Sequence, residues 1–142
     1  MIDKIFIDTN ILVYLFDKTE KIKQDDLKRT IAEYISTSKI FISTQVVNEF
    51  INIVSRKIAS PLPSDKQKEI IEFLNDVFTV VPLYLETTFS AIEIRDRYKL
   101  SFWDSLIISS ALENKCNILL SEDMQNEFVV EEKLEIRNPF IK

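Results

Sequence analysis

Residues 4–16, KIFIDTNILVYLF, place a strand, an acidic turn and a helix in direct succession, and this order sets the architecture of the chain. KIFID is short and rich in β-branched and aromatic side chains, which is typical of a strand. TNILVYLF follows as a predicted helix with Thr9 and Asn10 in its first turn. Asp8 therefore lies where a predicted strand meets a predicted helix.

The rest of the chain continues this alternation. Apolar residues at helical spacing predict a helix over residues 25–37, and KIFIS at residues 39–43 repeats the strand character of the opening segment. A third helix, capped by Ser43 or Thr44, is predicted through Ile58 to the turn at residues 60–63. The remaining predicted elements are a helix over 65–76, a strand over 78–83 closed by Pro82, a helix from Leu85 to Lys99, a helix from Ser101, a strand over 117–121 and a last short strand over 133–139.

Strands that alternate with helices favour a parallel sheet, because right-handed crossovers need an intervening element. We therefore predict an α/β fold with a central, mainly parallel sheet of four to five strands and helices on both faces. A length of 142 residues with 46% hydrophobic content suits one domain over residues 1–142. Ligands of such sheets bind at the carboxyl ends of the strands, which is where Asp8 and Asp123 fall.

Two residue types that the sequence lacks exclude several kinds of active site and ligand-binding site. The chain has no histidine, which excludes imidazole-based triads and His-ligated zinc sites, and no glycine, which excludes the GxxxxGK[ST] and GxGxxG phosphate-binding loops. A net charge of −5 argues against a passive surface for nucleic acid. Chemistry through a hard metal with oxygen ligands remains, and bound cations would reverse the local field for a phosphodiester substrate.

The single cysteine, Cys116, lies in the apolar segment CNILL, which indicates a packing role and a reducing compartment, hence a cytoplasmic location. No charged segment leads into a long apolar stretch, and no apolar run approaches the roughly 18 residues that span a bilayer. We therefore expect neither a signal peptide nor a membrane span.

Four carboxylates lie at predicted strand ends or in early helical turns, and inside long gaps between basic residues: Asp8, Glu49, Asp104 and Asp123. A carboxylate near an apolar core without a cation needs another compensating partner, and a divalent metal is the obvious candidate. If folding gathers the four, like charges at about 4 Å repel by roughly 4 kcal/mol per pair at an effective dielectric of about 20. Such a cluster is weak without a metal.

Asp8 and Glu49 each have a structural alternative. Asp8 could simply cap the helix that follows it. As a metal ligand it would be assisted by Thr9, which offers a hydroxyl, and by Asn10, which positions the turn or a water. Glu49 lies in the second turn of the predicted third helix and could be an exposed helix residue, the usual place for glutamate.

The other two acids also have alternatives. Ser101-Phe-Trp-Asp104 fits the capping-box spacing, in which the acid reaches back to the amide of the cap. The segment Ser121-Glu122-Asp123 could be a polar turn after a strand, and its pattern leaves open whether Glu122 or Asp123 points inward. We favour Asp123, with Ser121 supporting it.

A short basic stretch, Arg95, Arg97 and Lys99, ends the helix before Ser101. It could bind a phosphate backbone that leads to the site, yet charges at a helix C-terminus are usually a solvated face that suits the helix dipole. The nearby aromatic residues Tyr98, Phe102 and Trp103 are expected to pack in the core or at its rim rather than to stack on bases.

These residues together resemble a PIN-domain ribonuclease, specifically the VapC-type toxins of bacterial and archaeal toxin-antitoxin pairs. The matching segments, in order along nearly the whole chain, are FIDTN, the glutamate of VVNEF, the helix SFWDSLIISSAL, and LLSED. The resemblance implies a PIN-like three-layer α/β/α fold, with Asp8, Glu49, Asp104 and Asp123 as the acidic metal-binding and catalytic set. Thr9, Asn10, Ser121 and Glu122 would support it, although SED departs from the threonine and acid of many members.

The resemblance further implies Mg²⁺- or Mn²⁺-dependent endonucleolytic cleavage of RNA by an activated water. It also implies that the protein forms a homodimer, and that it has an antitoxin partner whose C-terminal segment covers the groove of the toxin. Alternatives are a catalytically silent module that binds RNA or a protein, and a haloacid-dehalogenase-type phosphatase, which lacks the second acid of its DxD motif because Asn10 stands there. A phospho-acceptor receiver domain would need an acid pair beside the first strand and a lysine after a late strand, where Glu122 stands instead.

Overall fold

A computed structural model describes residues 2–56 and 61–141. Ile58 and Ser60, predicted for the end of the third helix and the turn after it, lie outside the described residues. The elements follow in the order β1 (Asp3–Ile7), α1 (Thr9–Phe16), α2 (Lys21–Thr37), β2 (Ser38–Ser43), α3 (Thr44–Arg56), α4 (Ser64–Val77), β3 (Thr79–Val81), α5 (Leu85–Tyr98), α6 (Phe102–Glu113), β4 (Ile118–Leu120), β5 (Val129–Val130) and β6 (Leu134–Arg137).

The strands form one sheet in the order β3-β2-β1-β4-β6-β5, and every neighbouring pair is parallel except β5 with β6. Helices lie in the connections between β1 and β2, β2 and β3, and β3 and β4. The central strand β1 buries Ile5, Phe6 and Ile7 completely, as expected of a strand covered on both faces. The predicted three-layer α/β/α class with a mainly parallel sheet is confirmed.

The sheet differs from the prediction at its edges. Within the described ranges it has six strands, one more than the upper predicted number, because β5 adds a two-residue antiparallel pairing that leaves no periodic pattern in the sequence. At the other edge, the predicted strand over 78–83 is reduced to Thr79–Val81. Pro82 follows directly and has no N–H with which to continue a ladder.

The carboxyl ends of β1, β2 and β4 meet at one edge of the sheet. Ile7 pairs with Leu120, and the Asp8 amide donates to the Leu120 carbonyl at 3.0 Å. Helices α1 and α3 begin directly after β1 and β2, so the first turns of both rise from this edge.

Cys116 is buried just before β4, in agreement with its predicted packing role. Burial raises the pKa of its thiol to about 12, an effect that the charge of Lys4 opposes only weakly. The thiol is therefore a poor nucleophile. In the part of the chain that the structure describes, no helix is both long and apolar enough to cross a membrane.

Candidate active site

All four predicted acids line one pocket of about 210 Å³ at the carboxyl edge of the sheet. Asp8 follows β1, Glu49 lies in α3, Asp104 lies in the first turn of α6 and Asp123 follows β4. Asp8 is nearly completely buried, Glu49 and Asp104 are half-buried and Asp123 is exposed. We call this cavity the acid pocket; its other lining residues are Thr9, Asn10, Gln45, Ile53, Trp103 and Ile107.

Asp8 both caps α1 and faces the acid pocket. Its Oδ1 accepts a hydrogen bond from the Thr9 amide at 2.7 Å, and its Oδ2 accepts one from the Ser121 hydroxyl at 2.8 Å. Burial raises the pKa of Asp8 to about 6; the two hydrogen bonds oppose this, and the charges of Asp104 and Glu49 add to it. The capping alternative and a place in the site are therefore compatible.

Glu49 is held by two polar neighbours. Its Oε1 accepts hydrogen bonds from the Thr9 hydroxyl at 3.2 Å and from the Gln45 side-chain amide at 3.1 Å. The same Gln45 nitrogen donates to the Trp103 carbonyl at 3.3 Å and so connects α3 with α6. Gln45 was missed in the sequence, although it stands four residues before Glu49, the spacing at which helical side chains meet.

Asp104 shows half of the predicted capping box. Its amide donates to the Ser101 hydroxyl at 3.1 Å, while its carboxylate lines the acid pocket. Burial raises the pKa of Asp104, and the nearby charge of Asp123 raises it further against a hydrogen bond from Ser101. The positive end of α6 favours a carboxylate at this position.

The neighbours Glu122 and Asp123 point to different places. Asp123 accepts a hydrogen bond from the Asn10 side-chain amide at 2.7 Å and lines the acid pocket. Glu122 is turned instead toward the Tyr14 hydroxyl and the Lys23 ammonium, each at 2.7 Å. The backbone amide of Glu122 donates to the side-chain Oδ1 of Asn10 at 3.5 Å, so Asn10 connects α1 to this segment.

The basic stretch is not brought to the acid pocket. Arg95 pairs with Asp96 and Arg97 with Glu131, and Lys99 ends α5 in the left-handed conformation with φ at 59°. None of these three basic residues lines the acid pocket. Trp103 does line it, and 63% of its surface is exposed.

The donor set fits a hard divalent ion. Among residues 2–56 and 61–141, none of the four acids makes an ion pair, and carboxylate oxygens are the ligands that Mg²⁺ and Mn²⁺ prefer. Within the same ranges, no three His, Cys, Asp or Glu side chains already form a group that could hold a metal. Asp8, Glu49 and Asp123 accept hydrogen bonds from protein donors, and carboxylate lone pairs remain that can bind an ion.

The chain belongs to the PIN domain family, which matches residues 5–128. This match supports neither the haloacid-dehalogenase nor the receiver interpretation. No curated protein matches the chain.

Several solved structures share the fold. The chain is similar to VapBC2 from Rickettsia felis, solved with a DNA fragment from its promoter. The identity is 20% and the TM-score 0.71, over 95% of this chain and 98% of that chain. A toxin-antitoxin complex from Klebsiella pneumoniae matches with 16% identity and a TM-score of 0.69, over 95% and 97%. Mycobacterium tuberculosis VapC20, a sarcin-ricin loop cleaving toxin, matches with 18% identity and a TM-score of 0.64, over 81% and 86%.

Proposed function

We propose that this protein is a Mg²⁺- or Mn²⁺-dependent endoribonuclease, the VapC-type toxin of a type II toxin-antitoxin pair. The observation that carries the proposal is the convergence of four carboxylates on the acid pocket with no cation paired to them among the described residues. Membership of the PIN domain family supports it, as does a fold shared with VapC20, a toxin that cleaves the sarcin-ricin loop. An RNA substrate and the single buried cysteine support a cytoplasmic location.

The proposed ion would be held by Asp8, Glu49, Asp104 and Asp123. When bound, it supplies charge stabilisation at the scissile phosphate and a lower pKa for a coordinated water. The surrounding residues orient these carboxylates: the Thr9 amide and the Ser121 hydroxyl hold Asp8, Gln45 holds Glu49, and Asn10 holds Asp123. Without an ion, the same four acids repel a phosphodiester.

Incubation of structured RNA with Mg²⁺, with and without EDTA, tests the reaction. We expect cleavage that needs the ion and that falls at least about a hundredfold in Asp8→Asn and in Asp104→Asn, because each loss removes several kcal/mol of charge stabilisation. RNA binding should persist in both variants. Cleavage that continues in EDTA would falsify the metal-dependent reaction.

A catalytically silent module that binds RNA or a protein is the second candidate. It is favoured by the hydrogen bonds that already occupy Asp8, Glu49 and Asp123, and by the lack of a preformed metal group within the described ranges. The same assay separates the two, since this candidate predicts RNA or protein binding with no cleavage at any Mg²⁺ or Mn²⁺ concentration.

The proposed protein partner is an antitoxin. A cavity of about 430 Å³ beside α2 and α4 is lined mainly by apolar side chains, including Ile31, Ile35 and Phe73, with Lys18 and Lys28 also in its wall. This combination suits an amphipathic segment with an apolar face and acidic flanks. Phe73→Lys is expected to weaken capture of a co-expressed antitoxin at least about tenfold, measured by co-purification. Unchanged capture argues against this surface.

We also propose a homodimer through α5. Leu85, Phe89 and Ile92 stand at helical spacing and are 69%, 63% and 38% exposed. Such an apolar stripe on the surface of a soluble protein is typical of an interface. Sedimentation should give a dimer for the native chain and a monomer for Phe89→Asp; a native monomer would remove the proposal.

A further inference from the structure

A second cavity of about 410 Å³ adjoins the acid pocket. Three residues line both cavities: Gln45, Glu49 and Trp103. The remaining wall of the second cavity consists of Thr44, Asn48, Leu83 and Leu106. A strand of RNA with its phosphate in the acid pocket therefore has a partly apolar, partly polar recess directly beside that phosphate.

Trp103 lines both cavities. It precedes Asp104 in the first turn of α6 and is 63% exposed, so of the two places expected from the sequence, the core and its rim, the core is excluded. Its ring meets Phe102 edge-on, with centroids 5.3 Å apart and an interplanar angle of 75°. A large aromatic ring that is mainly exposed beside a phosphate site is suited to stacking on a base.

Two amide side chains, Gln45 and Asn48, also line the second cavity. Gln45 is 8% exposed, and its Oε1 is buried with no hydrogen-bond partner in the described part of the chain. Asn48, three residues further along α3 and exposed, presents a second amide to the same cavity. Amide side chains read the donors and acceptors of base edges, and the exposed Asn48 amide offers both a donor and an acceptor to this cavity.

We infer that the second cavity is a nucleobase site, which receives one unpaired base of the RNA whose scissile phosphate lies in the acid pocket. Trp103 stacks on the base, Asn48 contacts its edge, and Leu83 and Leu106 exclude water. This inference rests on the proposed function and names the part of the substrate that it engages, a base turned out of a helix or within a single-stranded loop.

Fluorescence tests the stacking contact, because Trp103 is the only tryptophan in the chain. The Asp8→Asn variant, which should bind without cutting, is titrated in Mg²⁺ with oligoadenylate of about ten nucleotides and with a sugar-phosphate chain of the same length that lacks every base. We expect oligoadenylate to quench the emission by about half and the abasic chain to leave it unchanged, at concentrations where a filter assay shows both bound. Bound oligoadenylate with unchanged emission, or equal quenching by both chains, overturns the inference.

Kinetics on the RNA cut by the native chain provide the second test. Trp103→Ala should lower kcat/KM about tenfold to a hundredfold, and Trp103→Phe should restore most of it, because base stacking needs only an aromatic face. Ile22→Ala is the control, since Ile22 is an 81% exposed apolar side chain on α2 that lines neither the acid pocket nor the second cavity. For an RNA with an abasic nucleotide beside the cut site, the native chain should show a kcat/KM that is lower by the same factor. Trp103→Ala should not lower kcat/KM further on that RNA.

The two proposals fail in different ways. A native chain that cuts no RNA refutes the proposed function, and the nucleobase site falls with it. A native chain that cuts RNA in Mg²⁺, with Trp103→Ala as active as Ile22→Ala, refutes the nucleobase site alone.

Discussion

Two polar groups lie side by side at the carboxyl edge of the sheet: the acid pocket, and the group formed by Tyr14, Lys23 and Glu122. The carboxylates of the two groups have opposite electrostatic surroundings. In the acid pocket, Asp8 is buried without a cation among the described residues, and its pKa is raised to about 6. In the neighbouring group of Tyr14, Lys23 and Glu122, burial is the largest single cause and raises the pKa of Glu122, but the hydrogen bonds from Lys23 and Tyr14 and the charge of Lys23 together lower it overall.

The difference lies in where the balancing charge comes from. The Lys23 ammonium lies 2.7 Å from the Glu122 carboxylate and over the rings of Tyr14 and Phe140. The charge of Glu122 is therefore balanced by a residue of the chain itself. Among the described residues the acid pocket has no such partner, and under the proposed function a cation from solution would balance its charge. An acid without an internal partner is therefore the better candidate for function, and an acid with one is the better candidate for stability.

The largest expected contrast is between the adjacent residues Asp123 and Glu122. Asp123→Asn should lower the rate of RNA cleavage at least about a hundredfold, because it removes an oxygen donor from the acid pocket. Glu122→Gln should lower the rate less than about tenfold, because its carboxylate faces Lys23. Single-turnover cleavage in Mg²⁺ measures both; similar losses in the two variants would contradict the assignment of Asp123 to the site.

The pH dependence of stability should have opposite signs in the two groups. The pKa of Asp8 in the folded protein, about 6, lies above its ordinary value of 3.8, so the fold holds this proton more tightly than the unfolded chain does. Below about pH 4, Asp8 therefore does not change the free energy of unfolding. As the pH rises to about 6, it lowers the free energy of unfolding of the metal-free protein by about 3 kcal/mol in total. Asp8→Asn should be more stable than the native chain at about pH 7 and not at about pH 4.

Glu122 provides the matched comparison. Its lowered pKa contributes stability that is present near neutral pH and is lost as the pH falls through the folded-state pKa, so Glu122→Gln should destabilise the chain at about pH 7 and not in acid. Urea unfolding in EDTA at both pH values measures the two variants. If Asp8→Asn and Glu122→Gln changed the stability in the same direction at about pH 7, Lys23 would not be the cause of the difference between the two acids.

The smallest expected effect concerns Lys23 itself. Lys23→Met should cost about 1 kcal/mol of unfolding free energy, because it removes a partly buried ion pair and its contact with two aromatic rings. Lys21→Met is the control, since Lys21 pairs with Asp25 at 3.1 Å on the same helix with both side chains well exposed, and it should cost nearly nothing. Equal effects would place the Lys23 group among ordinary surface pairs.

Much of the fold could be predicted because its signals are local. A short apolar run that ends in an acid and is followed by a helix marks β1 and α1, and the same logic placed β2 with α3 and β4 with Asp123. The two-residue strand β5 could not be predicted, because its pairing with β6 leaves no pattern of its own. Gln45 was missed, since its contacts depend on how α3 and α6 approach each other.

The linear order of residues was enough to specify the alternation of strands and helices and the four acids at strand ends and helix starts, because both follow from spacing within a few neighbours. It could not choose between Glu122 and Asp123, which share one local pattern. Tertiary contacts made that choice: Asn10, 113 residues from Asp123, holds it in the acid pocket, and Lys23, 99 residues from Glu122, draws that carboxylate away. Charge pairing over such separations exists only once the sheet has brought α1, α2 and the end of β4 together.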